Sequence, residues 1–128
     1  MPVNDPIADL LTRFRNAQHS RRTECSAPWS RIKQEICELM KAQGYIADVT
    51  IEGEKSAKMI TVTFIPERAP LQLKRISTPG GRRYVGASDI RQYLHGSSLA
   101  IVSTSSGLLT GKQAKEKNIG GELLCTIA

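Results

Sequence analysis

The sequence predicts a mixed α/β fold of the α+β type, built as two small modules. An N-terminal α-β-α-β-β module covers residues 1–65, and a mainly β C-terminal module with short helices covers residues 66–128. Three observations carry this expectation. Apolar side chains recur at helical spacing from Ile7 to Ala17 and from Ile32 to Met40. They alternate with polar ones from Tyr45 to Glu52 and from Met59 to Ile65, the period of half-buried strands. Pro66 to Pro70 then interrupts both patterns, and short apolar runs punctuated by glycine follow.

Asp5-Pro6 opens the first helix, because the carboxylate accepts free amide protons and proline at the first helical position loses nothing. Ile7, Leu10, Leu11, Phe14 and Ala17 share its inward face, with Asp9, Arg13 and Asn16 outside. Gln18 to Glu24 is polar and predicts a loop. Cys25 to Pro28 predicts a short edge strand, since proline is excluded from a central one. Ser30 caps a second helix, whose apolar residues Ile32, Ile36, Leu39 and Met40 precede a stop at Gly44. Arg31 and Lys33 in its first turn oppose the helix dipole; a phosphate at that end would explain them, as would a solvated pair of long side chains. The two alternating stretches, joined by the polar segment Gly53 to Lys58, make a hairpin. Trp29 is read as a core anchor, with a contact to a neighbouring molecule as the alternative.

Beyond the joint, Leu71 to Ser77 predicts a strand. Thr78-Pro79-Gly80-Gly81 predicts a turn, where proline presets one dihedral and glycine supplies another. Arg82 to Gly86 continues extended, so Lys74, Arg75, Arg82 and Arg83 flank one turn. Ser88 to Leu94 predicts a short helix ended by His95-Gly96. Leu99 to Val102, the most apolar strand, runs into Ser103-Thr104-Ser105-Ser106-Gly107, whose closing glycine predicts a tight turn. Thr110 and Gln113 have capping-box spacing, which starts a helix at Gly111 that Gly120-Gly121 ends. Glu122 to Ala128 closes the chain as a strand with Leu123, Cys125 and Ile127 inward.

Hydrophobic content of 40% and charged content of 23% are those of a globular chain. No apolar run reaches membrane length and no charged-then-apolar leader opens the sequence, so the expectation is a soluble, unprocessed, cytoplasmic protein without a membrane partner. Cys25, Cys37 and Cys125 are scattered and form no C-x-x-C pair, which makes them core residues of a reducing compartment. His19 and His95 are isolated, and neither a metal nor a cofactor is expected. The net charge of +6 is unequally spread: residues 1–65 hold nine basic against eight acidic side chains, residues 66–128 nine against four. Such an asymmetry points to a phosphate backbone as partner, with a merely solubilising surface as the alternative.

Catalysis finds no support. Gly107 to Lys112 lacks the P-loop spacing, and Gln113 stands where a magnesium-binding hydroxyl belongs. Neither histidine has a nucleophile pattern, and the carboxylates fall on polar faces. Aromatic residues make up only 5% of the chain, too few for a base-stacking sheet platform, and an extended segment separates the first two helices, unlike a helix-turn-helix. What remains is the hydroxyl run at 103–107. Short hydroxyls donate and accept at close reach and suit a surface that reads polar edges. A solvated Ser/Thr loop is the alternative on composition alone; the basic charge and glycines around the run favour the first reading.

Asp5 to Ala17, Arg75-Ile76-Ser77-Thr78-Pro79-Gly80, Ser103 to Thr110 and Gly120-Gly121-Glu122-Leu123-Leu124-Cys125 closely resemble the S-eight family of small-subunit ribosomal proteins, in order and at family spacing. The resemblance implies a two-module protein that binds the central domain of the small-subunit ribosomal RNA early in assembly and supports its platform. It further implies neighbouring small-subunit ribosomal proteins as partners, no homo-oligomer, a place in the ribosome, and, for bacterial members, repression of translation through the messenger of their own operon. Either a bacterium or an organelle-encoded gene suits such a chain. Carried over, Ser103, Thr104, Ser105 and Gly107 form the base-reading turn, with Tyr84 and Glu122 beside it, and Ser106 within the turn joins the RNA-binding set. Arg75, Ser77, Arg82 and Arg83 belong to the same RNA-binding set. Ser30, Arg31, Lys33 and Lys55 map to the backbone-contacting start of the second helix and hairpin. Ser106 departs from a frequent lysine, Gly111 from a frequent acidic residue, and Ser97-Ser98 from a usual glycine-containing pair. The first removes one phosphate contact.

Overall fold

The computed structural model describes residues 5–93 and 98–128. The expected helix end at His95-Gly96, and Ser97 of the departing serine pair, lie outside them. The chain divides into two compact units, Pro6–Leu71 and a unit of Gln72–Ala128 that includes Asp5.

In the first unit, α1 (Pro6–His19) buries Ile7, Leu10, Leu11, Phe14 and Ala17, the face that the helical spacing predicts. It runs through Gln18 and His19, expected as loop, because helical hydrogen bonds do not require an apolar side chain. The helix ends where Arg21 turns left-handed at φ 55°, with Arg22 N donating to Ala17 O at 2.9 Å and Arg21 N to Gln18 O at 3.0 Å. β1 (Glu24–Pro28) follows as an edge strand, then α2 (Arg31–Ala42), β2 (Asp48–Glu52) and β3 (Met59–Thr63). The sheet order is β1-β3-β2, antiparallel throughout.

Alternation decides which face of this sheet is covered. Cys25 lies opposite Val62 and Ala27 opposite Ile60, all four buried, and Val49 and Ile51 extend the same rows. On the other face Ser26 and Thr61 share a hydroxyl hydrogen bond of 3.0 Å. β2 is shorter than the expected alternating run, since Tyr45 and Ile46 are both buried and so break the period before Asp48. Phe14 meets Phe64 edge to face at 5.8 Å between ring centroids. Trp29 is half-buried rather than core: its Nε1 donates to Gln34 Oε1 at 2.7 Å, and Lys58 Nζ lies 4.0 Å from the ring centroid.

The second unit is a sheet of β4 (Leu73–Arg75), β5 (Tyr84–Val85), β6 (Leu99–Thr104), β7 (Gly107–Thr110) and β8 (Gly121–Ile127). Its order is β4-β8-β6-β7, with β5 also on β8. The Thr78–Gly81 turn closes with reciprocal backbone bonds of 3.2 and 3.1 Å. The expected strand 71–77 contracts to β4. Beyond it Ser77 departs from the ladder, its N–H and that of Ile76 both donating to Leu124 O. Among the described residues of the predicted helix Ser88 to Leu94, whose last residue lies outside them, a single turn of 3-10 helix, Ile90–Tyr93, forms. α3 (Gly111–Glu116) has the anticipated capping box, Thr110 Oγ1 accepting from Gln113 N at 3.1 Å and Gln113 Oε1 from Thr110 N at 3.0 Å. Ile90, Leu109 and Ala114 make one buried cluster, and Ala100, Val102 and Leu123 another. A register shift between Ile101 and Val102 leaves Leu124 as the extra residue on β8, which re-aims the strand toward the site.

Candidate nucleic-acid interface

β6 does not stop at Val102 but carries Ser103 and Thr104 as strand residues, so the turn proper is Ser105-Ser106. β7, which the short run Leu108 to Thr110 did not announce, returns along it with Thr104 opposite Gly107. The positive φ of the connection, +96°, falls on Gly107, where a side chain would strain the backbone. Thr104 braces the turn: its Oγ1 donates to Gly107 O at 2.8 Å and accepts from Ser106 N at 3.1 Å. Ser105 and Ser106 are left exposed at the tip.

Register places the neighbouring site residues. Ser103 lies opposite Glu122, and Glu122 opposite Tyr84, so the three form one row across β6, β8 and β5. Opposed residues in such a row lie roughly 5 Å apart. Tyr84 is 73% exposed, a large ring at the far end of that row. Two glycines permit this closeness: a Cβ on Gly121 would meet Ser103 O at 2.2 Å, and one on Gly120 would meet Val85 O at 2.5 Å.

Glu122 is fastened from two sides. Its Oε2 accepts from the Ser77 hydroxyl and, at 3.0 Å, from Arg82 Nη1. Ser77, fully buried, also accepts from Arg83 N at 3.1 Å and so ties the strand of Arg82 and Arg83 to the carboxylate. Burial pushes the Glu122 carboxyl up, but the hydrogen bonds from Ser77 and Arg82, with the charges of Arg82 and Arg75, outweigh it and hold the group below its ordinary value. Arg82 remains half exposed and Arg83 exposed, so basic charge stands at the surface beside Glu122.

Not every residue singled out in the sequence faces outward. Arg75 has only 13% of its side chain exposed; it pairs with Asp5 at 3.2 Å and donates to Leu124 O at 3.1 Å. In the first unit, Lys33 sends its ammonium to Asp9 at 2.7 Å and Pro28 O at 3.0 Å, and 6% of its side chain is exposed. Ser30 caps α2, its Oγ accepting from Lys33 N at 3.3 Å. Arg31 projects from the same turn, paired only at the surface with Glu35, and Lys55 is exposed in the hairpin connection. The three cysteines are buried, and desolvation pushes the thiols of Cys37 and Cys125 up to about 12, well out of reactive range.

A family model described as ribosomal protein S8 matches residues 5–128, which takes in both units and every residue of this site. The chain belongs to the ribosomal protein S8 family. The small ribosomal subunit protein uS8 of Lactobacillus delbrueckii is 45% identical over 99% of both chains. That of Nitratidesulfovibrio vulgaris is 46% identical over 98% of both, and that of Anaeromyxobacter dehalogenans 40% over 99% of both. Ribosomal protein S8 is a structural family without an enzymatic reaction, in keeping with a site made of hydroxyls, an aromatic ring and fixed charges. What sequence reasoning missed is the joining of Ser77, Glu122 and Arg82 into one bonded group. Each residue was visible by type, but nothing local in the sequence pairs them.

Proposed function

We propose that this chain is a primary RNA-binding protein of the small ribosomal subunit, in the cytoplasm. Its ligand is the central domain of the small-subunit ribosomal RNA, where binding supports platform assembly. The observation that carries this is the row Ser103–Glu122–Tyr84 beside the exposed Ser105-Ser106 tip. Bases are readable where an RNA helix is irregular, and short hydroxyls and backbone amides suit their exposed edges while an aromatic ring offers a stacking face. Arg82 and Arg83 supply charge to the phosphates, which sets affinity rather than sequence choice. Ser77, Arg75 and Lys33 act from inside, holding the strands and α2 that present these groups. Ser30, Arg31 and Lys55 form a backbone-contacting surface of the N-terminal unit. Neighbouring small-subunit proteins are further partners, and a messenger segment of its own operon that copies the ribosomal site would compete for the same turn.

The test is binding of the purified protein to a central-domain RNA hairpin across a salt series, beside a Thr104→Ala/Ser105→Ala double variant. Expected are tight, salt-sensitive binding and a loss of about 1 to 3 kcal/mol in the variant. Binding no tighter than to an unrelated hairpin would remove the reading.

A further inference from the structure

The N-terminal unit holds a cleft of about 290 Å³ that the hydroxyl turn does not touch, walled by Tyr45, Phe64 and Leu71 and rimmed by Arg21, Arg22 and Arg68. Among the described residues no carboxylate lines it. The Arg68 guanidinium lies 4.5 Å from the Tyr45 ring centroid, so one rim cation is already laid over an aromatic wall. Arg68 donates besides to Gly44 O at 3.4 Å, yet remains exposed. Arg21 is odd in a second way. It occupies the left-handed position that ends α1, at φ 55°, where glycine costs least and an arginine pays a backbone penalty. Stability alone does not select arginine there.

We propose that this cleft takes one unpaired nucleotide of RNA. The base stacks on the outer face of the exposed Arg68 guanidinium, beside the apolar wall, and its phosphate lies on Arg21 and Arg22. This rests on the reading of the chain as a ribosomal RNA binder and adds to it a second contact, of different chemistry from the hydroxyl turn. A nucleotide fits better than an acidic segment of a protein because all three cations are arginines. A planar guanidinium forks onto a carboxylate as well as a phosphate, but it also stacks on a base, a contact that an acidic side chain cannot return. An apolar wall beside those charges matches a ligand that is flat and apolar at one end and anionic at the other.

The experiment is a titration of isotope-labelled full-length protein with adenosine monophosphate and with a short single-stranded RNA of mixed sequence, read at Tyr45 and Phe64. Saturable shifts confined to these residues are expected. Arg21→Gly should weaken them roughly tenfold, the scale of one lost stacking or phosphate contact, while raising the melting temperature, a pairing that unfolding cannot produce. Arg68→Gln should weaken them similarly. Absence of shifts in the unmodified protein, shifts indifferent to both variants, or shifts produced by an acidic peptide and not by RNA would each overturn the proposal. The two readings fail separately. Cleft shifts should persist in the Thr104→Ala/Ser105→Ala variant; in the unmodified protein, cleft shifts without specific hairpin binding overturn the turn alone, and hairpin binding without cleft shifts overturns the cleft alone.

Discussion

Ser77 and Glu122, 45 positions apart, are joined side chain to side chain, and the same Ser77 oxygen accepts the backbone N–H of Arg83. One buried hydroxyl thereby fixes both the carboxylate beside Ser103 and the arginine strand beside it. A carboxylate on an RNA-facing surface would repel phosphate if it were unpaired; with Arg82 on its other side it serves as an anchor for positive charge.

Glu122→Gln should cost about 1 to 2 kcal/mol at neutral pH, the scale of a hydrogen bond to a charged group discounted for the solvent at half-exposed Arg82. The sign of its pH dependence follows from the lowered carboxyl. Below its ordinary 4.5 in the folded chain, the group contributes stability that is full above 4.5 and lost as pH falls through the folded value. Urea unfolding from pH 7 to pH 3 should therefore show the wild-type advantage constant at first and shrinking once pH drops below about 4.5.

Gly121→Ala tests whether Ser103 is placed by close approach. The new Cβ would sit 2.2 Å from Ser103 O, backbone that no rotamer change can clear. An overpacking cost of about 1 to 3 kcal/mol is expected, read as a shift in denaturant midpoint at unchanged slope. RNA affinity should fall with it, because the strand that moves carries the turn.

Lys33 offers a different comparison, since its ammonium is internal while its partner Asp9 is 40% exposed. Removing one member of a buried pair is costly, but solvent at Asp9 screens the loss, so Lys33→Ala should cost about 1 to 2 kcal/mol. Lys33→Met, which refills the space, should recover at least half. The Lys33 hydrogen bond, against the opposing effect of burial and with help from Arg13, holds Asp9 below its ordinary 3.8. The stability of the pair is thus present above 3.8 and lost as pH falls through the lowered value, and either variant should flatten that acid limb of the unfolding curve.

These three cases rest on contacts distant in the chain, which the sequence does not announce; local ones it does. Ser30 at the start of α2 and Thr110 with Gln113 at α3 could be read because cap and capped amide lie three residues apart. The β1 edge position could be read from Pro28, whose missing donor forbids a central strand. Lys33, Arg75 and Ser77 could not, since their partners Asp9, Asp5 and Glu122 lie 24, 70 and 45 positions away. A basic or hydroxyl side chain looks solvated until the fold supplies its acceptor. β7 escaped notice because four residues are too few to establish a period.

Thr104 separates a reading role from a bracing one. Its hydroxyl bridges Gly107 O and Ser106 N, so the oxygen holds the tip in shape without any ligand. Thr104→Ser keeps that oxygen and should bind the central-domain hairpin within about threefold of the unmodified protein, a difference under 1 kcal/mol. Thr104→Val keeps the shape of the side chain but leaves Ser106 N and Gly107 O to solvent and the tip unbraced, and a loss of roughly tenfold is expected, about one hydrogen bond. If the hydroxyl only read a base, Ser105→Ala would add its own loss to that of Thr104→Val. If it chiefly braces the tip, the two losses overlap, because a misshapen turn no longer aims Ser105. A double-mutant cycle on hairpin affinity distinguishes them, and the two bonds already made by Thr104 predict overlap.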